Sequence, residues 1–157
     1  MKIAMIVHSN TGNTQSVAKL IEAELKSSGH AVDYHKIEHE PKKDSKNAME
    51  KPVFINKPVL DGYDFYIFAS HTEAFSLAKV MEYYLKELGQ LSGKAVTLST
   101  QHFMHSFLGG NAAQKKMKKL LERKGLNVIG SAHVNWKEAS KRDNRIKIAV
   151  DDIIKLV

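Results

Sequence analysis

The stretch Ser9-Asn10-Thr11-Gly12-Asn13-Thr14 lies between an apolar run at residues 3–7 and a helical pattern that begins near Thr14. Most of its side chains carry a hydroxyl or an amide, and its single glycine lets the backbone pass close to a ligand. The first N–H groups of a helix have no acceptor within the helix, and they bind anions readily. The stretch therefore predicts a strand, a phosphate-sized loop and a helix in that order.

The predicted phosphate loop carries no positive charge. No lysine or arginine lies between Ile3 and Val17, so a phosphate would be bound by neutral donors and by the helix dipole. The loop differs from the Walker loop, which ends in Gly-Lys-Ser/Thr, and from the dinucleotide fingerprint, which has three spaced glycines.

Placed directly after a first strand, residues 9–14 resemble the phosphate loop of the flavodoxin family, whose pattern is Ser/Thr-x-Thr-Gly-x-Thr. The family binds FMN, so the resemblance implies that Ser9, Asn10, Thr11, Gly12, Asn13 and Thr14 hold the FMN phosphate. The alternative is a hydroxyl-rich capping turn with no ligand, because a shared fold does not guarantee a working site.

Composition limits the other possibilities. The 157 residues suit one domain, and the absence of cysteine excludes disulfides, thiolate metal sites and iron–sulfur clusters. No apolar stretch is long enough to cross a bilayer, and the first residues lack the pattern of an export signal. We therefore expect a cytoplasmic protein without membrane insertion, whose redox chemistry would come from an organic cofactor.

Apolar runs predict five strands at residues 3–7, 31–37, 63–70, 95–99 and 128–134. Helical spacing of apolar residues predicts helices around 17–25, 77–88, 113–121 and 146–157. The polar segment 38–60 reads as a surface excursion, with a short helix at 44–51. This alternation predicts a three-layer α/β sandwich with a parallel sheet, and the resemblance implies the flavodoxin-like strand order 2-1-3-4-5.

In that order, the ligand lies at the carboxyl ends of the strands, beside the loops 8–14, 70–76 and 100–110. The resemblance places the flavin ring against the second and third loops. The residues that it implies there are Thr72, Glu73, Ala74 and Phe75, followed by Gln101, His102 and Phe103. A backbone carbonyl near Ala74 would accept a hydrogen bond from the reduced ring. The second loop departs from common family versions because it has neither glycine nor tryptophan.

Two other features lie at the same predicted rim. Four histidines, His8, His71, His102 and His105, fall on its loops, but no pattern of carboxylates accompanies them, so we predict polar neighbours of the flavin and no metal site. Gly109-Gly110-Asn111 resembles the third-loop region of flavodoxin-like NAD(P)H:quinone reductases. The plainer interpretation is a tight turn in which Asn111 caps the next helix.

The formal net charge of +7 is concentrated in the C-terminal half, where residues 115–124 hold six basic side chains and only Glu122 as an acid. Such a surface attracts acidic partners, whereas flavodoxin electron carriers are usually acidic. Three functions remain open: an FMN electron carrier with a redox partner, possibly acidic; an NAD(P)H-dependent quinone reductase; and a flavin-free module that binds RNA or an acidic protein. Nucleic acid is the weaker expectation, since no interleaved aromatic motif accompanies the charges.

Overall fold

The computed structural model describes residues 1–41, 51–102 and 109–157. Its strands are β1 (Lys2–Val7), β2 (Ala31–Lys36), β3 (Phe65–Glu73), β4 (Ser76–Leu77), β5 (Gly93–Gln101) and β6 (Leu126–Asn135). Its helices are α1 (Asn13–Ser27), α2 (Lys79–Glu87), α3 (Gly110–Glu122) and α4 (Ala139–Ile154).

Five strands form a parallel sheet in the order β2-β1-β3-β5-β6. Numbered along the chain without the short β4, these strands give 2-1-3-4-5, which confirms the predicted order. Because β1 and β3 are neighbours while their connections run in opposite directions along the sheet, a crevice opens at their carboxyl ends. The loops that follow β1, β3 and β5 meet there.

Helices cover both faces of the sheet, which confirms the three-layer arrangement. Helices α1 and α4 pack on one face, where Ile3, Met5 and Val7 point into the core. Helices α2 and α3 pack on the other face, against Ala4 and Ile6. Burying one isoleucine side chain contributes roughly 1.5–3 kcal/mol, so alternate residues of β1 stabilise both helical layers.

One apolar residue of α1 lies outside the core. Leu20 fits the apolar spacing of α1, yet it is 50% exposed, while Val17, Ile21 and Leu25 are buried. It lies at the edge of the apolar stripe, on the side that faces α4.

The polar excursion is tied back to the sheet. His39 and Phe54 form an isolated antiparallel bridge, and the Glu40 N–H donates to the carbonyl of Val53 at 2.8 Å. This ribbon brings His39 beside the carboxyl end of β1. Most of the helix expected at 44–51 lies outside the described residues.

The basic face of α3 is partly neutralised by a residue that the sequence did not connect to it. Glu82 on α2 accepts hydrogen bonds from Lys86 at 2.7 Å and from Lys116 at 2.6 Å. Burial by itself raises the pKa of Glu82, but Lys116, Lys86 and Lys79 outweigh it and lower that pKa to about 2. Glu122 is therefore not the only acid that faces the lysines of α3. Within the described ranges, none of the helices is both long enough and apolar enough to cross a membrane.

Candidate functional site

The first loop leaves the N-terminus of α1 open. Gly12 precedes the helix with a φ of +87°, and no side chain caps the helix there. The first helical hydrogen bond runs from the Ser16 N–H to the Gly12 carbonyl at 2.8 Å, so the N–H groups of residues 13–15 have no intrahelical acceptor. The first turn also contains no acidic side chain. This end of α1 therefore has the partial positive charge and the exposed donors of an anion site.

Two hydroxyls of the loop fix its shape. Ser9 Oγ accepts a hydrogen bond from the Gly12 N–H at 3.1 Å, which leaves the Ser9 O–H able to donate to a ligand. Thr14 is fully buried, and its Oγ1 lies 2.7 Å from Oγ1 of Thr100 at the end of β5. Thr14 thus fastens the first loop to the end of β5. Asn10, Thr11 and Asn13 remain at the surface of the loop as polar side chains.

The second loop is a tight hairpin, which the sequence did not predict. Thr72 and Glu73 belong to β3, which pairs antiparallel with β4. Ala74 and Phe75 form the two-residue turn with φ values of +46° and +60°. Two successive positive φ values are typical of a type I′ turn, which usually contains Asn-Gly. The backbone is therefore strained at the rim of the crevice, and such strain often marks functional sites.

The hairpin rests on the start of α3. A Cβ added to Gly109 would lie 2.8 Å from Cα of Phe75, so only glycine allows this approach. Gly109 is also the residue that precedes α3, and Asn111 lies inside the first turn, so the prediction that Asn111 caps the helix is wrong. Phe75 itself is 57% exposed and lies at the rim of the crevice.

The third loop is only partly described. Gln101 is the last residue of β5 and is buried, so it is not in a loop as predicted. Its carbonyl accepts a hydrogen bond from the Trp136 N–H at 2.7 Å, which joins the ends of β5 and β6. His102 is exposed and follows directly. Phe103 and His105 lie outside the described residues.

Comparison with known proteins finds similar solved structures but no match at the level of sequence. No protein-family model matches the sequence, and neither does the sequence of any curated protein. A flavoprotein from Lactobacillus acidophilus NCFM, solved in complex with FMN, is 17% identical, with a TM-score of 0.66 over 91% of this chain and 97% of that one. A flavodoxin from Streptococcus pneumoniae TIGR4 is 16% identical, with a TM-score of 0.65 over the whole of both chains. Flavodoxin 1 from Bacillus cereus is 15% identical, with a TM-score of 0.64 over 100% of this chain and 99% of that one.

The chain has the flavodoxin-like fold. Identities this low establish the fold and not the function, so the chemistry of the site must be argued from the residues of this chain.

Within the flavodoxin-like fold, three histidines gather behind the first loop. His8 is 2% exposed, and its ring centroid lies 5.1 Å from that of His71 and 5.8 Å from that of His39. His71 in turn reaches the first loop, since its Nε2 lies 3.4 Å from Nδ2 of Asn10. Among residues 1–41, 51–102 and 109–157, no group of three or more metal-ligating side chains is arranged to hold a metal ion.

His8 and His71 are neutral at ordinary pH. Burial first, and then the neighbouring His71 and His39, lower the pKa of His8 to about 3. Burial also lowers the pKa of His71. His8 and His71 thus give the first loop an uncharged support. His39 packs against His8 from a segment that the sequence did not connect to the site.

The cluster predicts a loss of stability in mild acid. The folded-state pKa of His8 lies below its unfolded value of 6.5, so protons favour the unfolded chain. The stabilisation is complete above pH 6.5 and is lost as the pH falls toward the folded pKa. Between pH 7 and pH 5 we expect the free energy of unfolding to fall by about 2 kcal/mol through this residue. Urea denaturation at a series of pH values measures it.

The matched variants are His8→Asn and His30→Asn. His8→Asn is expected to flatten the pH dependence between pH 7 and 5. His30 precedes β2 at the opposite end of the sheet, so His30→Asn keeps the cluster and should keep the slope. An equal slope in the wild type and in His8→Asn would show that His8 is not the group responsible.

The strained turn makes a second prediction. Ala74→Gly is expected to raise the free energy of unfolding by about 1 kcal/mol, because glycine adopts a φ of +46° without the steric cost of a Cβ. Thermal and urea denaturation of the apoprotein measure it. Ala23 is exposed in the middle of α1, so Ala23→Gly should instead lose about 1 kcal/mol. The same loss in both variants would contradict the strained turn.

Proposed function

We propose that this protein binds FMN at the carboxyl edge of its sheet and transfers electrons through the exposed edge of the flavin ring to a redox partner. The proposal depends on one observation above the others. The N-terminus of α1 has no capping side chain and no acidic residue in its first turn, and it follows a loop of hydroxyl and amide groups. A phosphate group supplies the acceptors and the negative charge that this arrangement lacks.

The first loop would hold the phosphate through the N–H groups of residues 13–15, the Ser9 hydroxyl and the side chains of Asn10, Thr11 and Asn13. Thr14 would act indirectly, because its hydroxyl is engaged with Thr100 and fixes the loop. No lysine or arginine lies within residues 3–17, so the helix dipole would supply the complementary charge.

The flavin ring would lie beside the hairpin. Phe75 offers an exposed aromatic face, and His102 lies at the end of β5 on the same edge of the sheet. Thr72 Oγ1 is buried at the base of the hairpin and has no hydrogen-bond partner among the described residues, so a polar group of a ligand would satisfy it. These features fit a ring with an apolar body and a polar edge.

FMN, when bound, supplies one-electron and two-electron redox chemistry, for which the described part of the chain has no group of its own. The chain would orient the cofactor and adjust its energy. The carbonyl of Ala74 is held in the strained turn. It would accept a hydrogen bond from a ring nitrogen of the flavin that carries a proton. The dianionic phosphate held at the first loop would disfavour additional negative charge on the ring, which favours a low reduction potential.

The partner would be a redox protein, and the net charge of +7 favours an acidic one. Lys116 is neutralised by Glu82, and Lys124 donates to the carbonyls of Lys86 and Leu88 at the end of α2. Lys118 lies 3.7 Å from the carboxylate of Glu122, so Lys115 and Lys119 are the lysines of α3 that would be available for docking. We place the protein in the cytoplasm, as the sequence predicts.

An absorbance spectrum of the freshly purified protein, recorded before and after FMN is added, tests the proposal. We expect bands of bound oxidised flavin and quenching of FMN fluorescence on titration. If the holoprotein also oxidises NADPH steadily in the presence of benzoquinone, it is a quinone reductase and not a carrier. The proposal is contradicted if the purified protein is colourless, does not bind added FMN and is retained on nucleic acid at low salt.

A further inference from the structure

An apolar groove runs between α1 and α4, on the face of the sheet remote from α2 and α3. Its volume is about 590 Å³. Its apolar lining comes from Leu20 on α1 and from Ile146, Val150 and Ile154 on α4. Leu20 is 50% exposed, and Ile146 and Ile154 are only partly buried, whereas Val150 is 8% exposed and lies at the floor of the groove. The groove therefore presents an apolar strip that the described residues do not cover.

A stripe of alternating charge borders the same groove. Asp143, Lys147, Asp151 and Lys155 recur at every fourth residue of α4 and its C-cap, so they lie along one side of the helix. Lys147 donates a hydrogen bond to Asp151 at 2.6 Å, and this bond, with a smaller contribution from Glu24, raises the pKa of Lys147. Both members of this pair are exposed, which leaves them free to make further ion pairs.

The order of these charges is self-complementary only in one direction. When a second copy of α4 lies antiparallel to the first, Asp143 faces Lys155 of the other copy and Lys147 faces Asp151 of the other copy. Each contact then occurs twice, as twofold symmetry requires. In a parallel arrangement each charge would lie level with its own equivalent, so the pairing of opposite charges would be lost.

The apolar residues of the groove also meet across the twofold axis of an antiparallel pair. In the register that pairs Asp143 with Lys155, Ile146 lies within about 3 Å, along the helix axis, of the level of Ile154 of the other copy. Val150 is only 8% exposed, so the contact would come mainly from these isoleucines. Leu20, on the rim of the groove, would cover the side of the incoming helix. Exposed ion pairs contribute little affinity, so burial of this strip would supply the attraction and the charges would fix the direction.

From these two observations we infer that the α1–α4 groove binds the α4 helix of a second copy of this chain, forming an antiparallel, twofold-symmetric dimer. The groove lies beside α1 and α4, away from the hairpin at the carboxyl edge of the sheet. The dimer would therefore leave the candidate flavin site open, and its test does not depend on FMN.

Sedimentation velocity of the full chain over a range of concentrations tests the inference. The wild type should show a concentration-dependent dimer. Two charge variants should be monomers when alone: the acidic-stripe variant K147E/K155E and the basic-stripe variant D143K/D151K. An equimolar mixture of the two should recover a dimer, because every charge again faces its opposite. The fourfold variant D143K/K147D/D151K/K155D keeps the alternation and should dimerise like the wild type.

A pair of apolar variants serves as the matched control. Leu20 and Ile148 are each 50% exposed, but only Leu20 lines the groove. Leu20→Lys should reduce the association constant at least about tenfold, while Ile148→Lys should leave it unchanged. Circular dichroism confirms that each variant is folded. A wild type that stays monomeric, a mixture of charge variants that does not associate, or equal effects of Leu20→Lys and Ile148→Lys would each overturn the inference.

Discussion

Asn13→Asp is expected to weaken FMN binding by about a hundredfold or more, because it places a carboxylate at the first position of α1, where the phosphate would bind. The substitution preserves the size of the side chain. A negative charge at a helix N-terminus also stabilises the helix by about 0.3–1 kcal/mol. The apoprotein should therefore unfold at a slightly higher urea concentration even though it binds FMN poorly. Fluorescence quenching measures the affinity, and urea denaturation measures the stability.

Two controls isolate the effect of charge. Riboflavin lacks the phosphate, so its weaker binding should be the same in the wild type and in Asn13→Asp. Asn127 is exposed near the start of β6, at the opposite end of the sheet, and Asn127→Asp should not change the FMN affinity. Equal FMN affinity in the wild type and in Asn13→Asp would show that the phosphate does not bind at this helix end.

Gly109→Ala is expected to lower the free energy of unfolding by about 3 kcal/mol. The added Cβ would lie 2.8 Å from Cα and 3.0 Å from the carbonyl carbon of Phe75, and backbone atoms cannot move aside as a flexible side chain can. Alanine is also strained at a φ of +129°. The hairpin and the start of α3 must separate, so the FMN affinity should fall together with the stability. Thermal denaturation and an FMN titration of the same preparation measure both.

Gly29→Ala separates the clash from the backbone strain. Gly29 also has a positive φ, of +85°, but nothing lies within 4 Å of the position of its Cβ. This variant should lose about 1–2 kcal/mol and keep its FMN affinity. If Gly109→Ala lowers the free energy of unfolding no more than Gly29→Ala does, the contact between the hairpin and α3 is not important for stability.

The main architecture could be predicted because its signals are local. The central strands β1 and β3 are apolar runs buried on both faces, and each helix has one apolar side. The phosphate loop could be predicted because glycine, hydroxyl and amide residues occur together at a point where a strand gives way to a helix.

The hairpin could not be predicted, because Ala74 and Phe75 are unusual residues for a type I′ turn. Its conformation depends on Gly109, which is distant in sequence and accepts the close approach of Phe75. The same limit applies to Glu82, whose lysine partner on α3 is 34 residues away. Sequence periodicity reports which side of a helix is apolar, and it does not report which distant charges face one another.

Isothermal titration calorimetry of the apoprotein with FMN, and with riboflavin in parallel, tests the central claim most directly. A phosphate bound by the uncapped start of α1 predicts saturable FMN binding that is much tighter than that of riboflavin, and inorganic phosphate should compete with it. No heat with FMN, or equal affinity for FMN and riboflavin, would contradict the claim that this helix end holds the phosphate.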